Sequence, residues 1–153
     1  MIIFLVGVFH MSVLILQKFN SCLVISRHEM LKMQKEDIET LCKRFVVIPE
    51  LPNDVSQLRQ TIQQYDSVIG VLPLNLQIQI LQNKKVYMMF VMTSLGVVDN
   101  EEEANKMVLQ YPGRAVVLPP AKQGEKYRVT RYDGLKIVKE IKVVDEWIIQ
   151  HPS

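Results

Sequence analysis

Two cysteines, one tryptophan and six glycines occur among 153 residues, and each scarcity excludes something. Two cysteines are too few for a disulfide framework. Cys22 and Cys42 fall inside a predicted strand and a predicted helix, where thiols usually act as small buried hydrophobes rather than bridge partners. The glycines supply neither the Gly-x-Gly-x-x-Gly of dinucleotide folds nor the Gly-Lys-Ser/Thr of the phosphate-binding loop. No carboxylate cluster and no Cys/His ligand spacing is present, so neither a metal nor another cofactor is expected. Excess charge is scarce as well, with 18 Lys and Arg against 16 Asp and Glu. That balance is too even to hold duplex DNA through counterion release, and an anionic ligand has to be caught by a local site. Low-complexity linkers and internal repeats are also missing.

What is there is ordinary globular composition, 48% apolar and 22% charged, in a chain long enough for one domain with a real core. The N-terminus stands apart. "MIIFLVGVFHMSVLILQ" runs seventeen residues without a charge. It lacks the positive flank and small-residue cleavage site of an export signal. It is also shorter than the ~20 residues of a spanning helix, and His10 and Gln17 interrupt it. It reads as an extension upstream of a start at Met11 or as an extra strand, with a membrane or export role as the rival; no membrane partner is expected, and a cytoplasmic protein is. The chain divides into this extension (1–20), a core domain (21–120) and a C-terminal segment (121–153).

From residue 21 onward short β-rich runs alternate with helical patterns, which predicts a parallel sheet covered by helices. "SCLVIS" (21–26) is apolar enough for a central strand buried on both faces. A helix follows over 29–45, with Met30, Met33, Ile38, Leu41 and Phe45 near one face. Strands are predicted at 46–50, 67–73, 85–93 and 114–120, and helices at 53–65 and 99–111. "LNLQIQIL" alternates like a strand, but Pro73 suits a first helical position and no hairpin turn precedes it; a short helical crossover is preferred. Beyond residue 121, Asp133-Gly134 is a turn signal between two alternating runs and predicts a β-hairpin. Arg128 and Arg131 on that hairpin read as solvated charges, or as contacts to a ligand held by a partner subunit.

In an open α/β sheet, ligands bind beyond the carboxyl ends of the strands. That rule gathers Ser26-Arg27-His28, Gly70-Val71-Leu72-Pro73 and Thr93-Ser94 at one predicted edge. The set suits phosphate. Arg27 can fork onto phosphate oxygens and the hydroxyls of Ser26, Thr93 and Ser94 can donate. Helices starting after "SRH" and "VLP" would turn unpaired backbone N–H groups to the same place. His28 supplies the side chain type that moves protons near neutral pH. The plainer alternatives are that Ser26-x-His28 caps the next helix and that Thr93 and Ser94 are loop residues.

Two anchors together, "LVISRH" (23–28) and "DSVIGVLPLNLQIQI" (66–80), resemble a family. The chain is similar to small single-domain CRISPR-associated proteins that begin with a strand into Ser-Arg-His and carry an Ile-Gly-Thr-Leu-Pro strand end. They are regarded as ring nucleases related to the CRISPR-associated Rossmann fold. The resemblance covers residues 21–95. It implies a Rossmann-like, mostly parallel sheet of about five strands with helices on both faces, to which the hairpin is appended. It further implies a homodimer that binds cyclic oligoadenylate and linearises it without metal, switching off antiviral signalling. By matching position, Arg27 and His28 would be catalytic, and Ser26, Gly70, Leu72 and Pro73 ligand-binding, with Thr93 and Ser94 added by the strand-end rule. Three departures stand out. Val71 replaces the family's Thr, residues 1–20 precede the first strand, and the C-terminal hairpin has no counterpart. A nucleotide sensor that does not cut, or an interaction protein, are the rival readings.

Overall fold

β1 (Cys22–Ile25) is apolar at every position and is buried on both sides in the computed structural model, which describes residues 18–120, 122–142 and 145–152. The readings made for residues 1–17 lie outside those residues. Successive side chains of a strand point to opposite faces. Accordingly Cys22 and Val24 join one core cluster with Ile38, while Leu23 joins another with Leu58, Ile62, Val68 and Ile80. The first cluster lies under α1 (Lys32–Leu41), and the second under α2 (Val55–Gln63) and α3 (Leu74–Gln82). Helices therefore cover both faces here. Each fully buried aliphatic side chain, such as Ile38 or Ile62, contributes about 1.5–3 kcal/mol by leaving water.

Parallel pairing joins β2 (Phe45–Ile48), β1, β3 (Ser67–Ile69) and the start of β4 (Val86–Val98), in that spatial order. The expected helical crossover after Pro73 forms. Pro73 is the N-cap of α3, and its carbonyl accepts from the amides of Leu76 and Gln77 at 3.1 Å. α1 begins later than the periodicity suggests, because the Leu31 amide donates to Gln34 Oε1 at 2.8 Å and residues 29–31 stay outside the helix.

The rest of the chain departs from expectation. β4 does not stop at residue 93 but continues to Val98, and β6 (Tyr127–Val138) runs antiparallel along its whole length. α4 (Glu101–Leu109) returns the chain, capped by Asn100 and with three glutamates in its first turn. β5 (Ala115–Leu118) then pairs antiparallel with β6 at the sheet edge. The sheet thus has six strands in the order β2-β1-β3-β4-β6-β5, partly antiparallel and curled into a half-barrel. The expected Rossmann-like, mostly parallel sheet of five strands is overturned. The appended C-terminal hairpin is overturned with it.

The physical reason lies at Asp133 and Gly134. Instead of turning the chain, they sit inside β6 opposite β4, where pairing passes from Met92↔Tyr132 to Val91↔Gly134 and leaves Asp133 as an extra residue. That is a β-bulge, which bends a strand and raises its twist. Gly134 adopts φ 131°, a conformation that favours glycine, so the residue pair that signals a tight turn also serves a bulge. A third core cluster, built on Ala104, Ala115 and Val129, closes α4 onto the distal half of this antiparallel layer.

The cysteines correct a second expectation. Both are buried, but they are bonded to each other, with Cα atoms 6.1 Å apart. α1 returns along the sheet and delivers Cys42 beside the start of β1, where the Phe19 amide donates to Leu41 O at 2.8 Å and the Cys22 amide to Arg44 O at 2.9 Å. Spanning 20 residues, the cross-link should contribute about 3 kcal/mol by restricting the unfolded chain. Reduction, or the paired Cys22→Ala and Cys42→Ala substitution, is expected to lower the melting temperature by roughly 6–12 °C for a chain of this size. An unchanged melting curve with both thiols shown to be reduced would remove the cross-link from the stability of the fold.

Candidate functional site

β1 and β3 are neighbours whose onward connections leave in opposite directions, β1 toward β2 and β3 toward β4. Such a reversal opens a crevice at the carboxyl ends of the two strands. Ser26-Arg27-His28 follows β1 directly and Gly70-Val71-Leu72-Pro73 follows β3, so the structure brings these two segments to one edge. Gly70 is required by that closeness. A Cβ there would lie 3.1 Å from both the Cβ and the carbonyl oxygen of Ile25.

Each segment is held by its own hydrogen bonds. The Ser26 amide donates to Ile48 O at 3.0 Å, and its hydroxyl donates to the carbonyl of His28 at 2.7 Å, folding the turn tightly. The imidazole of His28 is exposed at its tip. Arg27 pairs with Glu50, just past the end of β2, at 3.2 Å. Both side chains are about 70% exposed, so the pair is weak and separable. Across the crevice, the buried Tyr87 hydroxyl donates to Gly70 O at 2.8 Å and accepts from the Leu72 amide at 3.3 Å. Burial pushes the Tyr87 phenol above its ordinary range, only partly offset by the Leu72 amide, and it remains a neutral donor. Gln77 Nε2 donates to Leu72 O at 2.8 Å. Leu72 is therefore buried as a backbone anchor, and Val71 is the side chain presented at the edge, 63% exposed.

Thr93 and Ser94 do not end a strand. They lie within β4, opposite Arg131 and Thr130. Met88 is level with the end of β3, which places Thr93 five residues, or roughly 17 Å of strand, past that strand end. The hydroxyl of Thr93 donates to Asp133 Oδ2. Asp133 Oδ1 accepts from Arg131 Nε at 2.7 Å and from Arg114 Nη2 at 3.0 Å. Arg131 stacks over the Tyr111 ring at 5.1 Å, so it is neither free in solvent nor on a hairpin. Arg128, opposite Val97, is in β6 as well.

Sequence reasoning missed this second cluster and missed Glu50. Its available signal was the alternation in "YRVTRYD", which places Arg131 and Asp133 on one side of a strand. Next to the bulge, the buried Tyr132 hydroxyl donates to Asp37 Oδ2 on α1 at 2.7 Å, and burial together with that carboxylate pushes the phenol well above its ordinary range. Among the described residues no His, Cys, Asp or Glu cluster is arranged to hold a metal ion, and no helix is long and apolar enough to cross a membrane.

The chain matches no protein-family model, no curated protein and no solved structure.

The Asp133 network is testable on its own. Hydrogen bonds from Arg131 and then Thr93, with the charges of the two arginines, hold the Asp133 carboxyl below its ordinary value of 3.8. The folded chain releases that proton more readily than the unfolded chain. The network's contribution to stability is thus complete above the unfolded pKa and is lost as pH falls through the lower folded one. In thermal denaturation between about pH 3 and pH 6, Asp133→Asn should be less stable than the natural chain at the upper end, and the gap should narrow as pH falls below about 4. Parallel curves for the two chains would contradict the assignment.

Proposed function

We propose that the crevice between β1 and β3 binds cyclic oligoadenylate and linearises it, which is the activity of the CRISPR-associated ring nucleases the chain resembles. One observation supports this above the others: the Ser-Arg-His and Ile-Gly-Val-Leu-Pro segments, 40 and more residues apart in sequence, close the ends of adjacent parallel strands at a reversal of strand order. The first backbone amides of α3, which have no partner within their helix, open on the same edge.

The reaction needs no external nucleophile. A ribose 2'-hydroxyl held in line attacks the adjacent phosphorus; the new O2'–P bond replaces the P–O5' bond, leaving a 2',3'-cyclic phosphate and a 5'-hydroxyl. Positioning alone is worth on the order of 7–11 kcal/mol in well-oriented systems. Arg27, released from Glu50, stabilises the negative charge that builds on the phosphorane oxygens. His28 takes the 2'-hydroxyl proton or returns one to the leaving 5'-oxygen, worth roughly 10² to 10⁴ in rate. Ser26 and the Gly70–Pro73 turn position the phosphate. A homodimer would duplicate the site for a ring of symmetric phosphates. The activity would switch off effectors that the messenger activates.

Two features favour a sensor that binds without cutting as the second reading. Val71 presents no hydroxyl where the family has Thr, and Glu50 competes with phosphate for Arg27. Incubation with cyclic tetra- and hexa-adenylate in EDTA, resolved by chromatography, separates the two readings. Linear products are expected, with Arg27→Ala and His28→Ala each lowering turnover at least about tenfold. Glu50→Gln should tighten ring binding, and Val71→Thr should raise it further. Ring retained intact at saturating protein favours the sensor; a ring neither bound nor changed removes both.

A further inference from the structure

A depression of about 260 Å³ opens between the first turns of α1 and the bulge of β6, lined by Met33, Asp37, Arg114, Tyr132, Asp133 and Gly134. Its size falls just under the ~300–1,000 Å³ usual for small-molecule sites, enough for a single heteroaromatic base. The two oxygens of Asp133 are occupied by Thr93, Arg131 and Arg114. They hold the wall together. The ligand-facing chemistry is therefore set by the atoms that remain. Asp37 uses Oδ2 for the Tyr132 hydroxyl, and no described residue donates to its Oδ1. Arg114 commits Nε to Tyr132 O at 3.2 Å and Nη2 to Asp133, and no described residue accepts from its Nη1.

The depression thus offers one acceptor and one donor beside a thioether and a bare glycine. Its charges cancel, Arg114 and Arg131 against Asp37 and Asp133. A phosphate would meet the Asp37 carboxylate and gain little, whereas a neutral ring with an amino donor next to a ring-nitrogen acceptor satisfies both groups. We infer that the depression reads an adenine-type base, Asp37 Oδ1 accepting from its exocyclic amino group and Arg114 Nη1 donating to N7 on the same edge, an acceptor that inosine keeps, with Met33 against the ring face. This rests on the nucleotide reading above for the identity of the base. Position supports it. Met33 follows His28 by five residues, and the intervening Met30 and Leu31 pack into the cluster that holds Met92 and Tyr132. The phosphate edge and the base pocket therefore flank the same helix start.

Unphosphorylated adenosine and inosine, titrated into the full chain and followed by backbone amide NMR, test the pocket apart from the phosphate site. Inosine carries an acceptor oxygen where adenosine carries the amino donor. The natural chain should prefer adenosine by about tenfold, the size of one mismatched hydrogen bond. Asp37→Asn keeps an oxygen for Tyr132 and turns an NH₂ donor to the ligand, so its preference should reverse. No preference in the natural chain, or the same preference in both chains, overturns the inference. Should Asp37→Asn unfold by circular dichroism, Met33→Trp decides, because Met33 is 37% exposed and the indole would fill the depression. Lost adenosine binding with an unchanged melting temperature supports the pocket, and retained binding overturns it. Adenosine bound and switched by Asp37→Asn, with cyclic tetra-adenylate left unbound, keeps the pocket and removes the ring nuclease. Cyclic tetra-adenylate cleaved equally well by the natural chain, Asp37→Asn and Met33→Trp keeps the nuclease and removes the pocket.

Discussion

The antiparallel pairing of β4 with β6 is the constraint on which the rest of the structure depends. Through its first residues β4 completes the parallel layer beside β3, and through its full length it carries β6, which in turn carries β5. Without it the parallel layer would end at an unpaired β4, and α4 would have nothing to cover. The Asp133 bulge sets the geometry of this join. An extra residue bends the strand, and a carboxylate bonded to Thr93, Arg114 and Arg131 fixes where the bend falls. Phe90 and Tyr132, edge to face at 5.9 Å, pack the inner side of the same join.

Because β4 overshoots the parallel strands, the sheet gains a wall that rises beyond their carboxyl ends. The crevice at β1 and β3 lies at those carboxyl ends. Its floor is rigid, through Tyr87, Gln77 and the close contact of Gly70 with Ile25. Its proposed catalytic side chains are less constrained. Arg27 and His28 are exposed, and the one ion pair that holds Arg27 is weak. A backbone cradle fixed by buried contacts, with exposed charged groups above it, suits the proposed charged ligand.

The parallel half of the fold was legible in the sequence because its signals are local and agree with one another. "SCLVIS" is apolar throughout, the helical runs carry their period, and Pro73 marks the start of α3. The antiparallel half was not legible, since the same residues carry two meanings there. Asp133-Gly134 supplies backbone conformations that fit a hairpin or a bulge alike, and the choice falls to partners such as Thr93, 40 residues away. The end of β4 was hidden for a related reason: Thr93 and Ser94 are polar and exposed, yet strand continues through them. The bond between Cys22 and Cys42 depends on the return of α1, which composition does not report. For the site, the strand-end rule correctly joined Ser26-Arg27-His28 to Gly70-Val71-Leu72-Pro73 in space. It failed for Thr93 and Ser94 because the strand end itself was misplaced.

On the proposed reading, a phosphodiester ligand sits at the carboxyl edge of β1 and β3. Backbone amide chemical-shift mapping of the natural chain with cyclic tetra-adenylate tests it most directly. Perturbations centred on Ser26–His28, Gly70–Leu72 and the first turn of α3 are expected. Perturbations confined to the opposite edge, at the hollow lined by Ser21, Arg44 and Tyr65, or none at saturating ligand, would contradict it.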